Sequence, residues 1–211
     1  MRAVPVMAAH GDPPPPEAVG EAARVLARGW PVGIPTDTVY GLAVDPFRPG
    51  ATDRVFEAKR RPRQVSLPVL VTGVDQALTL ATAVPDSALA LMERFWPGPL
   101  TIVVPARADL AADLGDDDLT VGVRCAAHPV PLALCAAAGP LAATSANLHG
   151  GPTLSTAAEV AATFGSGVPV VLDGGECTGS PSTVVDCTGL VPKLLRPGRL
   201  AWEVVVASVE A

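Results

Sequence analysis

Aromatic side chains are scarce in this 211-residue chain, at 4% of residues and with a single tyrosine. Any core must therefore come from the aliphatic part of a 49% hydrophobic composition, which suits an α/β protein with strands rich in Ala, Val and Leu. Lysine is scarcer still, with only Lys59 and Lys193, and 15 Lys and Arg face 21 Asp and Glu for a formal net charge of −6. That balance excludes a dedicated DNA-coating protein, whose affinity needs a broad basic surface, and leaves only a local basic groove open.

Other absences narrow the chemistry. The four cysteines, Cys125, Cys135, Cys177 and Cys187, form no C-x-x-C pair and have no closely spaced histidine, so no zinc or other metal site is expected and a reducing cytoplasm is the simplest setting. The three histidines, His10, His128 and His149, are far apart in sequence, which leaves a Ser/His/Asp arrangement only to accident of folding. His128, followed by Pro129, reads as a structural turn residue. There is no G-x-x-x-x-G-K-[ST] loop, no G-x-G-x-x-G turn and no G-x-S-x-G elbow. No apolar run approaches the ~18 residues of a membrane span, so a soluble protein is expected. Arg2 and the apolar residues after it imitate a signal sequence, but Pro5 and residues 10–12 end it early. Residues 1–15 are expected to be a flexible arm and residues 16–211 a single domain.

What is present is punctuated by 23 prolines and 20 glycines. Pro16 suits the first turn of a helix reaching about residue 28, with Gly29 as its stop and Ala18, Ala22, Val25 and Leu26 as its apolar stripe. Residues 30–35 read as a buried strand, 50–60 as a helix ended by Pro62, 67–71 as a strand, and 74–83 and 86–95 as helices. Strands are expected at 100–104, 119–124, 141–143, 168–172, 183–186 and 194–198, with helices over 129–138 and from near Ser155. Residues 202–209 are amphipathic, with helix and strand both open. Asp109, Asp113, Asp116, Asp117 and Asp118 mark an exposed acidic loop that lacks the alternating oxygen ligands of a calcium loop.

Against the acidic background, Lys59, Arg60, Arg61 and Arg63 cluster at a helix end. Such a cluster is either a grip for a phosphate-bearing ligand or a solvated helix end whose cations offset the macrodipole. Thr36, Asp37, Thr38 and Tyr40 gather where a strand ends, either as ligand contacts or as a hydroxyl-rich turn capping its own backbone. Arg124 ends a strand and is a candidate anion contact. Thr144, Ser145 and Asn147, then Gly150, Gly151 and Thr153, would let a ligand approach the backbone, or would simply precede the next helix. A set of Lys, Arg, Ser, Thr and Asn residues is poor at acid–base work and good at holding a polyanion, which points to phosphate-transfer chemistry run by positioning and charge neutralisation.

The series Pro35-Thr36-Asp37-Thr38-Val39-Tyr40-Gly41-Leu42, Lys59-Arg60-Arg61-Pro62, Trp96-Pro97-Gly98-Pro99-Leu100-Thr101, Arg124 with His128-Pro129, Ser145-Ala146-Asn147 and Pro181-Ser182-Thr183 resembles the YrdC/TsaC family in order and spacing, from about residue 17 to residue 198. The resemblance implies a single-domain open, twisted, mixed α/β sheet flanked by helices, with a concave basic active face. It also implies threonylcarbamoyl-AMP synthase activity, in which L-threonine, bicarbonate and ATP give L-threonylcarbamoyladenylate and pyrophosphate, the first step of the t6A modification of tRNA. Carried over residue by residue, Lys59, Arg61, Ser145 and Asn147 would be catalytic and, with Thr120, Thr153 and Arg196, would bind ATP. Thr36, Tyr40, Arg124, Thr144 and Ser182 would bind threonine. Magnesium would arrive mainly on ATP, and partners would be downstream t6A transferase proteins with a weak secondary tRNA contact. The competing expectations are an RNA-binding or ribosome-assembly factor using the same groove, or another enzyme that forms a carbamoyl adenylate. Two departures stand out: Asp37 where the family often has Glu, and Ser66 where a proline is usual, a change expected to loosen the loop after Arg61. The chain also ends without the linker and second domain of the longer family branch, so closure over ATP is expected from its own loops.

Overall fold

In the computed structural model, which describes residues 4–115 and 119–209, the aliphatic runs pair into one mixed sheet of ten strands. The chain runs through β1 (Val6–Ala8), α1 (Pro16–Ala27), β2 (Val32–Ile34), β3 (Gly41–Val44) and α2 (Ala51–Lys59). It continues through β4 (Val69–Leu70), α3 (Val74–Leu78), α4 (Asp86–Phe95), β5 (Leu100–Pro105) and β6 (Thr120–Arg124). Next come α5 (Pro129–Ala138), β7 (Leu141–Ser145), α6 (Ala157–Phe164), β8 (Val170–Asp173), β9 (Thr183–Asp186), β10 (Lys193–Arg196) and α7 (Trp202–Ala207). Across the sheet the order is β1-β8-β2-β3-β7-β4-β6-β5-β9-β10. The pairs β1/β8, β2/β8, β4/β6 and β5/β9 are parallel, and the others are antiparallel.

Two-residue periodicity decides which side chains meet the core and which meet the site. On β6, Val121 and Val123 join Leu100, Ile102 and Val104 of β5 in the largest apolar cluster, against Leu91 and Met92 of α4 and Val55 and Phe56 of α2. The alternate residues Thr120, Gly122 and Arg124 therefore face the opposite side, as does Thr101 of β5. On that side α1 and α5 cover β2, β7 and β8 through Ala22, Leu26, Val130 and Leu134, and the sheet beyond them is left as a concave surface. A third cluster packs Ala157 and Val160 of α6 on Leu42 and Val171.

Most expected elements form, and the exceptions have local causes. In place of a flexible arm, Val6–Ala8 adds an edge strand to β8, secured by Val171 N–H to Pro5 O at 3.0 Å and Ala9 N–H to Asp173 O at 2.7 Å. Backbone pairing alone does this, so no apolar period announces it. The helix expected over 74–83 stops at Leu78, because Ala83 takes a positive φ of 46° and Ala81 bridges to Ala106. β3 forms where no element was expected, since all four of its residues are buried and alternation is lost. The helix expected from near Ser155 is α6, capped by Thr156 in a reciprocal box with Glu159. The open segment 202–209 begins as a helix. Asp116, Asp117 and Asp118 of the expected acidic loop lie outside the described residues. Among the described residues no helix is long and apolar enough to cross a membrane.

Gly33 shows how tightly the sheet takes α6. A Cβ there would stand 2.9 Å from Val171 Cγ1 and 3.0 Å from Val160 Cγ1, and both neighbours are stiff, β-branched core residues. Gly33→Ala is expected to lower stability by about 1–3 kcal/mol in urea unfolding. Unchanged stability would show that α6 can slide away at no cost.

Candidate active site

Lys59 sits in the last turn of α2 and is only 2% exposed. Arg60, the αL residue that ends the helix at φ 52°, turns the chain into Pro62 and leaves the ammonium pointing inward. There it donates to Ser145 O and Asn147 O at 2.5 Å each and to Asn147 Oδ1 at 3.2 Å. These contacts span 86 to 88 residues and fasten α2 to the exit of β7. Ser145 Oγ in turn donates to Asn147 Oδ1 at 2.5 Å, and Asn147 Nδ2 donates to Gly151 O at 2.8 Å. Burial, then the charge of Arg61, lowers the Lys59 pKa to about 8. Of the two readings of the basic cluster, the solvated helix end survives for Arg60 alone, which is exposed. Arg63 bridges Asp53 and Asp113 and lies 4.9 Å over the Phe56 ring.

Arg61 projects into a cavity of about 140 Å³ on the concave face. Its Nε donates to Val65 O at 2.9 Å and its Nη2 to Ser66 O at 3.2 Å, so the loop after it is held despite the serine at position 66. Thr36, Thr38, Thr101, Arg124, Thr144, Ser145, Ser182 and Arg196 also line the cavity, over an apolar floor that includes Ile34, Pro68 and Leu70. Three guanidinium groups thus converge there. Burial lowers the pKa of each, Arg196 adds to the depression at Arg61 and Arg124, and Asp37 partly offsets it at Arg124. The Asp37 carboxylate is held by Arg124 Nη2 at 2.6 Å, so a surplus of positive charge is left for an anionic ligand.

The 36–39 turn is built from its own hydroxyls. Thr36 Oγ1 donates to Val39 O at 2.6 Å and accepts from the backbone N–H of Thr38 and Val39 at 3.1 and 3.2 Å. The capping reading of this turn holds, since the Thr36 hydroxyl caps its own backbone, and the residue also lines the cavity. Arg124 fixes the turn from one side through Thr38 Oγ1 at 3.1 Å, Gly179 N–H binds Thr38 O at 2.9 Å, and Arg199 Nη1 binds Asp37 O at 2.5 Å. Opposite the turn, Ser182 Oγ lies 2.9 Å from Thr101 Oγ1 and accepts from Arg196 Nη2 at 3.1 Å.

Five expected site residues do not line this cavity: Lys59 and Asn147 stand beside it in the knot with Ser145, and Tyr40, Thr153 and Thr120 lie elsewhere. Tyr40 is fully buried on the other side of its strand, packed with Leu42 and Val160, and its hydroxyl donates to Gly175 O at 2.8 Å. Its neighbours Val39 and Gly41 line the cavity, and strand alternation turns the tyrosine away. Thr153 is exposed beyond the Asn147–Gly151 turn. Thr120 shares its face with Arg124 but lies at the far end of β6. Thr38 of the 36–40 cluster lines the cavity, and so does Thr101, which was not among the expected site residues although its face follows from alternation along β5.

Comparison with known proteins supplies the lineage. Residues 24–198 match the Sua5/YciO/YrdC family model, described as Telomere recombination. The chain belongs to the Sua5/YciO/YrdC family. Threonylcarbamoyl-AMP synthase of Pyrococcus abyssi is 40% identical over 184 residues, covering 86% of this chain and 54% of that protein. The Klebsiella pneumoniae protein of the same name is 38% identical over 193 residues, covering 87% of this chain and 97% of that one. The chain therefore spans about half the length of the archaeal relative and nearly all of the bacterial one. The structure of P. abyssi Sua5 complexed with L-threonine is similar with a TM-score of 0.89 at 37% identity, over 96% of this chain and 60% of that chain.

The buried ammonium of this family member makes a prediction about pH. With the folded pKa at about 8 and the unfolded value at the ordinary 10.5, the unfolded state binds more protons between those limits, so the Lys59 contribution to stability rises with pH through that window. The stability of the native protein minus that of Lys59→Met is expected to rise by about 2–3 kcal/mol between roughly pH 7.5 and pH 10. Taking the difference cancels the titration of the buried thiols common to both proteins. A flat difference would mean that Lys59 titrates like a solvated lysine.

Proposed function

We propose that this chain is an L-threonylcarbamoyladenylate synthase, a nucleotidyltransferase that joins L-threonine, bicarbonate and ATP. The observation that carries the reading is the convergence of Arg61, Arg124 and Arg196 on a small cavity lined by the hydroxyls of Thr36, Thr38, Thr101 and Ser182, beside the Lys59–Ser145–Asn147 knot. A cavity of about 140 Å³ with an apolar floor suits an amino acid better than a whole nucleotide, which would extend from it across the concave face. The hydroxyls and Arg124 would receive the threonine, and Arg61 and Arg196, with the knot, would receive the triphosphate.

The chemistry asks little of side-chain acids or bases. The threonine amine adds to carbon dioxide, supplied by bicarbonate, and loses a proton to give a carbamate. A carbamate oxygen then attacks the α-phosphorus of ATP, a P–O bond forms, and the bond to the β-phosphate oxygen breaks to release pyrophosphate. Guanidinium groups already fixed by backbone carbonyls stabilise the charge that builds on the α- and β-phosphate oxygens without reorganising. Magnesium enters as part of the substrate, bound to the triphosphate oxygens. The adenylate would pass in the cytoplasm to the transferase proteins of t6A synthesis, with any tRNA contact weak and secondary.

The purified chain given MgATP, L-threonine and bicarbonate is expected to release pyrophosphate and to form a threonine-dependent carbamoyl adenylate visible by mass spectrometry. Arg61→Ala is expected to lower turnover roughly a hundredfold or more, the usual loss when one preorganised donor is removed. Pyrophosphate release that ignores threonine would sink the synthase reading in favour of another adenylate former. RNA binding without any adenylate would favour the assembly-factor reading.

A further inference from the structure

Ser182 is held from three directions. Its hydroxyl meets Thr101 Oγ1 at 2.9 Å, and Arg196 Nη2 donates both to Ser182 O at 2.8 Å and to Ser182 Oγ at 3.1 Å. Behind it, the backbone at position 198 runs so close that a Cβ there would stand 2.4 Å from Pro181 O, Ser182 C and Thr183 N, and only glycine fits. Arg199 N–H adds a bond to Pro181 O at 2.9 Å. Thr101 and Ser182 are 3% and 5% exposed, so bulk water does not substitute for these contacts.

Proton counting at this pair is restrictive. A hydroxyl has one proton and two lone pairs, and one Ser182 lone pair is taken by Arg196. If Thr101 donates to Ser182, both serine lone pairs are filled and the serine proton is left for the cavity. If Ser182 donates to Thr101, the threonine proton is left instead. Either way the pair offers the cavity one hydroxyl proton, which suits an acceptor oxygen on a bound amino acid. Engaging that proton polarises the pair and firms the serine as an acceptor for Arg196. The same guanidinium lies in the field of Arg61, which lines the same cavity, so an anion bound there would meet both charges.

We propose, on the synthase reading, that Arg196 couples an amino-acid subsite at the Thr101–Ser182 hydroxyl pair to a polyanion subsite at Arg61, so that each substrate tightens the other, and that Thr101 is the positioning residue that makes the coupling work. Occupancy of the hydroxyl pair fixes the guanidinium that the nucleotide meets, and nucleotide phosphate draws the guanidinium into the geometry that holds Ser182. Because coupling is reciprocal, the factor is the same from either side.

Calorimetry with α,β-methylene-ATP, whose α–β bridge does not cleave, reads the coupling directly. L-threonine at saturation is expected to tighten the nucleotide analogue by roughly fivefold or more in the native protein. In Thr101→Val the factor is expected to fall toward one while affinity for the analogue alone stays within about twofold, and Thr101→Ser, which restores the hydroxyl, is expected to bring the factor back. A merely structural role for Thr101 would lower both affinities together with the unfolding temperature, and that outcome overturns the positioning assignment. Independent binding of the two ligands to the native protein overturns the coupling and leaves the synthase reading standing. Failure of the native protein to bind L-threonine at all overturns the synthase reading as well. Should Thr101→Val fail to fold, the native measurement and Thr101→Ser decide the matter, since a serine variant without coupling contradicts the requirement for the hydroxyl alone.

Discussion

A buried ammonium with no carboxylate partner among the described residues is the constraint on which the rest of the site depends. Lys59 leaves water at the end of α2 and is compensated by the dipoles of Ser145 O, Asn147 O and Asn147 Oδ1. Taking a charge out of water is costly, and fixed carbonyls offset that cost while leaving the net charge in place. A carboxylate would have neutralised it. The choice of dipoles over a counter-ion fastens two distant parts of the chain together and still leaves the concave face positive in an acidic protein.

The same division between holding and offering recurs at the arginines. Arg61 spends two nitrogens on the carbonyls of Val65 and Ser66, and Arg124 spends three on Gly98 O, Thr38 Oγ1 and Asp37 Oδ1. A guanidinium has five N–H groups in a rigid fork, so directions remain for a ligand after the protein has fixed the plane. Lys59, with its three donors each directed at the 145–147 segment, works chiefly as a field and as a fastening. Arg124 likewise builds the 36–39 turn as much as it lines the cavity, since Asp37 and Thr38 take their positions from it.

This division explains what could be read from the sequence and what could not. Arg61 stood out in a basic cluster past a helix end and Ser145 in a polar motif at the end of a strand, where an α/β sheet places ligands, whereas Ser182 and Arg196 came from the family resemblance. Tyr40 stood in another such motif and was misplaced, because proximity in sequence along an extended segment puts neighbours on opposite faces. Thr101 was the converse case, a polar residue inside an aliphatic strand whose face follows only once Leu100 and Ile102 are known to be core. β1 and β3 were illegible for another reason. One is fixed by backbone pairing at an edge, and the other is buried on both faces, so neither carries an alternating pattern.

Convergence of like charges has a consequence for the protein without ligand. Arg196 depresses both Arg61 and Arg124, so its guanidinium opposes each of theirs across the cavity, and Asp37 relieves only Arg124. The fold holds them there by the carbonyls of Val65, Ser66, Gly98 and Ser182, all on loops or strand ends tied into the sheet. A polyanion bound there, as proposed, would relieve that repulsion in the folded state, so occupancy and stability would be linked through the same groups. Preorganisation here means that the repulsion is met during folding, by contacts outside the cavity, before any substrate arrives.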